Sequence, residues 1–421
     1  MSATIGIDFG TSFCSASWIN PATGKPEAVR FKDTELFKIP SVVYISPKGT
    51  VIVGQSAFEN LEDAQGLADK DRDEIINNTI TSIKTHLDKR NITRRPNKSY
   101  SDEDIVALIL KKVKEQVEES CQIEGSIEGL VLTYPVNFDE SPEKKEILTN
   151  AAALAGFKNV KLLQEPVSAA IYAIKMGLVP STCKGLLIYD FGAGTFDIAY
   201  LQPKGKEDPY MPILPKGDGQ CGGDDVDREL YLDWDKYVKA TKGRSVSEDP
   251  AEFDKVFQYR CRREKEKFSR GNVANYIAEY IPRLGRVQRE ITTGQFNKLT
   301  EPWVNRTIDK TKQILKEIEA ANLPLEHLIL IGGSSRLPLV KTKLESLLKG
   351  KAKIVSTGDM DIAVAVGAMY SVGMTINGPQ KPVGSNQTAI TKHFCVHCGK
   401  QVISNQKFCM HCGKENYSYK E

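Results

Sequence analysis

One pattern, written twice, constrains this chain more than any other feature. Gly185-Leu-Leu-Ile-Tyr-Asp190-Phe-Gly192-Ala193-Gly194-Thr195-Phe-Asp197-Ile-Ala-Tyr-Leu201 is an apolar run, a glycine-rich break and a second β-favouring run. That order predicts two strands joined in a hairpin, not a strand running into a helix. The tip offers backbone N–H groups and the Thr195 hydroxyl, with Asp190 and Asp197 at the strand ends. Glycine lets a backbone approach an anion closely, and consecutive N–H groups form an anion nest. Two carboxylates beside the nest would repel a bare phosphate, so a divalent cation is implied between them. The chain begins with the same device: Thr4-Ile-Gly-Ile-Asp8-Phe-Gly10-Thr11-Ser12, followed by a strand-like run from Cys14 to Ile19. One copy alone reads as an ordinary turn. Two matched copies predict a duplicated fold gripping one nucleotide from both sides.

Composition narrows the class. The 421 residues are enough for two or more domains with full cores, and 40% hydrophobic with 26% charged residues is the balance of a globular protein. A net charge of +3 is too close to neutral to argue for nucleic acid or a membrane surface. No apolar run reaches the eighteen or so residues that a bilayer span needs. The first strand starts within three residues of Met1, which leaves no room for a signal peptide. Of nine cysteines, four cluster near the end and the rest are scattered, unlike a disulfide framework. A reduced, cytoplasmic protein is expected.

Along the chain, Pro40–Ile45 reads as a strand, and residues 59–74 are acidic and polar. The basic stretch from Lys84 to Lys98, with Arg90, Arg94 and Arg95, reads as a solvated face. Ser101 can cap a helix to Cys121 in which Ile105, Ile109, Val113 and Val117 recur every fourth residue. A strand over Val131–Pro135, a helix over Pro142–Ala155, a strand over Val160–Leu163 and a helix from Glu165 to near Gly177 follow. Alternation of this kind indicates α/β layers. Gly217–Asp225 is a flexible glycine turn before a helix from Val226, and Arg260–Arg270 is a charged helix. His327–Ile331 is a buried strand whose Gly332-Gly333-Ser334-Ser335-Arg336 exit offers helix N–H groups to a ligand. Expected domain bounds are 1–180 and 181–376 for two lobes, 377–392 for a linker and 393–415 for a terminal module.

That module reads Phe394-Cys395-Val-His-Cys398-Gly-Lys and then Phe408-Cys409-Met-His-Cys412-Gly-Lys. Two Cys-x-x-Cys knuckles at this spacing predict a tetrahedral structural zinc site on Cys395, Cys398, Cys409 and Cys412. His397 and His411 are competing ligands, but the symmetric cysteine pairs fit better. So small a module needs the metal to fold.

With the two hairpins, Glu165-Pro166 and the Gly-Gly-Ser-Ser-Arg turn in hand, the chain resembles the ATPase domain of the seventy-kilodalton heat-shock chaperones. The resemblance runs from about Thr4 to Val372 and places it in the actin and sugar-kinase superfamily. It implies a two-lobed α/β fold, each lobe on a ribonuclease-H-like sheet, with ATP or ADP and magnesium in the cleft. Carried over, Asp8, Gly10, Thr11 and Ser12 form the first phosphate hairpin; Asp190, Gly192, Ala193, Gly194, Thr195 and Asp197 form the second. Asp8 and Asp190 would hold magnesium through water. Lys84 falls where the family's lysine meets the terminal phosphate, and Glu165 acts through a magnesium-bound water. Gly222 and Gly223 lie on a phosphate-facing loop. Lys265, Ser269, Gly332, Gly333, Ser334, Arg336 and Asp361 surround the nucleoside.

Departures from the family accompany the match. Ala193 replaces a glycine and needs φ below zero. Arg262 and Glu266 stand at positions that usually differ, which bears on base preference. The segment between Gly54 and Ser101 is shorter than in the chaperones. From Met374 onward too few residues follow for a peptide-binding β-sandwich and lid, and a zinc ribbon stands there instead. The expected activity is slow ATP hydrolysis, with lobe closure coupled through the ribbon to an unidentified protein client or cochaperone, in preference to nucleic acid. The alternatives are a non-hydrolysing nucleotide-sensing adaptor, a small-molecule kinase of the same superfamily, and a filament former.

Overall fold

Alternating side chains on the first strand face two different cores. In Ala3–Phe9, Ile5, Ile7 and Phe9 enter one buried cluster, while Gly6 lies against the backbone of Ala365. The computed structural model describes residues 2–64, 69–96, 98–204, 208–245, 255–271, 274–281, 285–356, 358, 360–374, 393–394 and 401–402. The chain divides into two units, Met1–Pro379 and Gln380–Glu421.

Within the first unit, one sheet has the strand order Asn159–Gln164, Ile127–Tyr134, Ala3–Phe9, Phe13–Asn20, Lys25–Ala28, with Ile39–Pro40 added on Phe13–Asn20. Ala3–Phe9 pairs antiparallel with Phe13–Asn20, setting Asp8 opposite Ser15, and parallel with Ile127–Tyr134. The other main sheet repeats this plan. Its order is Asp208–Asp218, Phe196–Lys204, Leu186–Phe191, His327–Ile331, Lys353–Ser356. Leu186–Phe191 pairs antiparallel with Phe196–Lys204, setting Asp190 opposite Asp197, and parallel with His327–Ile331. Both hairpins read from sequence are present, each at the centre of its own sheet. The mixed α/β architecture is that of a two-lobed, duplicated fold.

Leu187, Tyr189 and Phe191 enter the core of the second lobe, whereas Leu186 and Ile188 join a third cluster between the sheets. That cluster is built on the helices Glu165–Lys175 and Ala363–Tyr370, rich in alanine. Gly367 makes their crossing possible, because a Cβ there would lie 1.9 Å from the Ser168 carbonyl oxygen.

The helix Asp102–Cys121 starts as expected: Ser101 accepts from the Asp104 N–H at 3.2 Å and donates its own N–H to the Asp104 carboxylate at 3.0 Å. Elsewhere the structure adds elements. Residues 59–63 and 69–74 belong to the helices Gln55–Asp63 and Asp69–Asn78. The glycine turn is shorter than expected, with strand to Asp218 and helix from Gly223. The charged helix extends over Lys255–Ser269. An antiparallel pair, Ala274–Ile281 with Gly285–Thr292, leads into the helix Thr293–Ala320.

In the second unit His393–Phe394 pairs antiparallel with Gln401–Val402. The four cysteines expected to bind zinc lie outside the described residues. Among the described residues no helix is long and apolar enough to cross a membrane.

Candidate functional site

Because the sheets are copies, Asp8 and Asp190 sit at equivalent strand ends, and both line one cleft of about 450 Å³. Gly10, Thr11 and Ser12 from the first hairpin line it with Gly192, Ala193 and Thr195 from the second. Ala193 keeps φ negative, so its Cβ brings no backbone strain. Gly194 lies against Thr11 and Thr85 instead of the cavity wall, where a Cβ would clash. The Ser12 hydroxyl is buried and has no hydrogen-bond partner among the described residues.

Lys84 comes from a short 3₁₀ turn, Ile83–His86, that follows Ser82 in the left-handed region (φ 54°). Its Nζ donates to Glu165 Oε1 at 2.5 Å inside the cleft. Glu165 opens the helix Glu165–Lys175 with Pro166 in the first turn, where the helix dipole favours a carboxylate. Burial works against the charge on Lys84, but Glu165 and Asp8 outweigh it and hold the ammonium above the ordinary lysine value. Burial, reinforced by Glu165, raises the Asp8 carboxyl to about 7, although Lys84 and a 3.2 Å bond from Thr133 Oγ1 oppose it. Burial and Glu165 also push Asp190 well above the carboxylate range. Asp197 sits behind the hairpin tip and does not line the cavity; burial and Glu165 raise it to about 8.

Three buried carboxylates (Glu165, Asp190, Asp197) and the half-buried Asp8 therefore surround the buried ammonium of Lys84. Asp197 Oδ1 has no hydrogen-bond partner among the described residues. Hard divalent cations take oxygen donors in such surroundings, and the uncompensated negative charge fits magnesium.

The other end of the cleft is formed by the His327–Ile331 exit and two segments of the second lobe. Gly332, Gly333, Ser334, Arg336 and Asp361 line it, with Lys265 and Ser269 on the helix Lys255–Ser269. Gly332 is obligatory: its φ is 77°, and a Cβ would lie 2.5 Å from Asp190 Oδ1. Ser334 Oγ donates to the Gly192 carbonyl at 2.8 Å, fastening this turn to the second hairpin. Gly223 donates its N–H to the same carbonyl at 3.0 Å, and its own carbonyl accepts from Lys265 Nζ at 2.7 Å. Gly222 and Gly223 back the hairpin and do not line the cavity. Arg336 approaches Asp361 at 3.4 Å where both are about a third exposed, a weak pair.

A family model described as Hsp70 protein matches residues 4–383. The chain belongs to the Hsp70 family. A second model, a zinc-ribbon domain, matches residues 394–416, which contain all four knuckle cysteines and give the tail a metal-binding character. The Hsp70 domain carries the ATP or ADP and magnesium use of its family.

Sequence reasoning missed several groups of the Hsp70 cleft. Lys38, Arg270 and Met360 line it as well, beside Glu266, whose position the sequence marks as a departure from the family. Asp224 and Asp227 brace its outer wall, through Arg262 at 2.7 and 3.3 Å. Asp224 was visible only as part of a glycine turn, and no short-range pattern links it to a helix some forty residues later. Arg262, singled out as a departure, is the residue those carboxylates hold.

Proposed function

We propose that the Hsp70 domain binds magnesium–ATP between its lobes and hydrolyses it slowly to ADP and phosphate. Closure around the nucleotide is then coupled to a protein partner through the zinc ribbon, on the cysteine set Cys395, Cys398, Cys409 and Cys412. The observation that carries the reading is the Lys84–Glu165 pair at 2.5 Å in a cleft that Asp8 and Asp190 share. Domain bounds at 1–180, 181–376, 377–392 and 393–415 accompany it.

Phosphoryl transfer to water needs positioning and charge stabilisation more than covalent chemistry. In this reading the Thr11, Ser12 and Thr195 hydroxyls and the hairpin N–H groups hold the phosphate oxygens. Ser12 supports it with a buried hydroxyl that has no hydrogen-bond partner among the described residues. Lys84 divides its N–H donors between Glu165 and the terminal phosphate, where its charge offsets the charge developing on the oxygens. Glu165 Oε1 orients the attacking water and accepts its proton as the bond from phosphorus to the leaving ADP oxygen breaks. Asp8 and Asp190 would hold magnesium through water, and the cation would offset the negative charge of the phosphates and of these carboxylates. Lys265, Ser269 and the Gly332–Arg336 turn hold the nucleoside.

Single-turnover kinetics with radiolabelled ATP tests the reading. Conversion of bound ATP to ADP by the full chain, lost in Lys84→Ala and Asp190→Asn with ATP still bound, is expected. Binding without conversion would replace it with the nucleotide-sensing adaptor; ATP consumption only on addition of sugar or acid substrates would replace it with a kinase.

A further inference from the structure

Asp224 stands where three parts of the cleft meet. Its N–H donates to the Ala193 carbonyl at 2.8 Å, which stitches it to the tip of the second hairpin. Its two carboxylate oxygens point in different directions. Oδ1 accepts from Arg262 Nη2 at 2.7 Å, on the nucleoside-facing helix Lys255–Ser269. Oδ2 accepts from Ser82 Oγ at 3.0 Å, in the other lobe. Ser82 is two residues before Lys84, sits in a left-handed conformation (φ 54°, ψ 30°), and carries the lysine turn on its carbonyl, which accepts from Thr85 Oγ1 at 2.8 Å.

Arg262 cannot swing away from this arrangement. Asp227, fully buried, accepts its Nε at 3.3 Å and pairs with Lys265 Nζ at 2.8 Å. The helix that faces the nucleoside therefore sets the orientation of Asp224, and Asp224 holds the residue that starts the lysine turn. We propose that Asp224 is a positioning residue that couples the nucleoside-facing helix to Lys84, through Arg262 on one side and Ser82 on the other. The proposal rests on reading the cleft as the ATP site. It assigns Asp224 no contact with the reacting atoms. It acts by fixing where the Lys84 ammonium lies relative to the terminal phosphate, and a small displacement of such a group costs rate.

Two substitutions at Ser82 separate positioning from mere stability. Asn and Asp both tolerate the left-handed region. Ser82→Asn keeps an N–H donor toward Asp224, whereas Ser82→Asp sets a carboxylate against it. In the full chain, Ser82→Asn should keep the single-turnover rate within about threefold of the parent. Ser82→Asp should lower it about tenfold with the ATP dissociation constant little changed. Adding Asp224→Asn to Ser82→Asp should recover part of that loss, because the new amide donates to the new carboxylate. A Ser82→Asp protein that turns over at the parent rate, or a loss that Asp224→Asn does not relieve, overturns the proposal. Hydrogen exchange over residues 82–87 of the nucleotide-free chain tests the tie even if calorimetry finds that the parent binds no ATP and the reading of the cleft falls. Faster exchange in Ser82→Asp than in Ser82→Asn supports the coupling, and equal protection in the two ends it.

Discussion

Lys84 is buried yet charged because Glu165 and Asp8 outweigh the desolvation that opposes it. Removing one member of a buried pair leaves the other uncompensated, at a typical cost of about 3–5 kcal/mol. Lys84→Ala should therefore lower the stability of the nucleotide-free domain by about 3 kcal/mol, the lower end because the pair borders the cleft. Turnover should fall by about 10²–10³, as when one charge-stabilising donor is lost. Urea titration and single-turnover assays read the two effects, and an unchanged denaturation midpoint would contradict the first.

Asp8 and Asp197 give this residue-level picture a pH dependence. Their ordinary value is 3.8, and burial raises them to about 7 and about 8. Between those limits the folded state binds protons that the unfolded chain has released, so stability falls as pH rises. Below pH 4 the contribution is complete; above about 8 it is gone. Thermal melts in chelator from pH 5 to 8.5 should show a declining midpoint, and Asp197→Asn should flatten part of the decline. A midpoint rising over that range in the parent would refute the assignment. The residues that titrate this way were legible in the sequence as the Asp-bearing hairpin ends. Their shifts were not, since desolvation depends on what packs around them.

At the scale of elements, the helices Glu165–Lys175 and Ala363–Tyr370 cross through small side chains between the sheets. Gly367→Ala would place a Cβ 1.9 Å from the Ser168 carbonyl oxygen, a backbone atom that cannot rotate away. Overpacking of this kind costs about 1–3 kcal/mol. A matching drop in the urea midpoint is expected, together with weakened ATP binding, because Glu165 stands on one of the two helices. Gly367→Ala with parent stability would show that the crossing yields without cost. The sequence revealed the helix Asp102–Cys121 through its cap and apolar spacing, whose signals lie within a few residues. It passed over the pair of strands at 274–292 and the helix Thr293–Ala320, in which Pro302 interrupts the helical pattern.

At the scale of the whole molecule, a ligand that binds only the folded state raises stability by mass action, about 2.7 kcal/mol at a hundredfold excess over its dissociation constant. ATP with magnesium should raise the melting temperature of the parent and should raise it less in Asp190→Asn. The zinc ribbon folds only with its metal in this reading. Zinc-selective chelation in excess magnesium, or removal of residues 391–421, should abolish zinc binding and leave the ATP-dependent shift intact. Loss of that shift on chelation would mean that nucleotide binding depends on the ribbon.

Periodicity, glycine-edged hairpins and cysteine spacing act over a few residues, so the sequence by itself determined the duplicated strand pairs, the hairpin residues that line the cleft and the metal-binding tail. Burial, and contacts between segments far apart in the chain, exist only once the two sheets are assembled. Only the tertiary structure could therefore decide that Lys84 pairs with Glu165, that Asp197 stands behind the cleft, and that Asp224 joins Ser82 to Arg262.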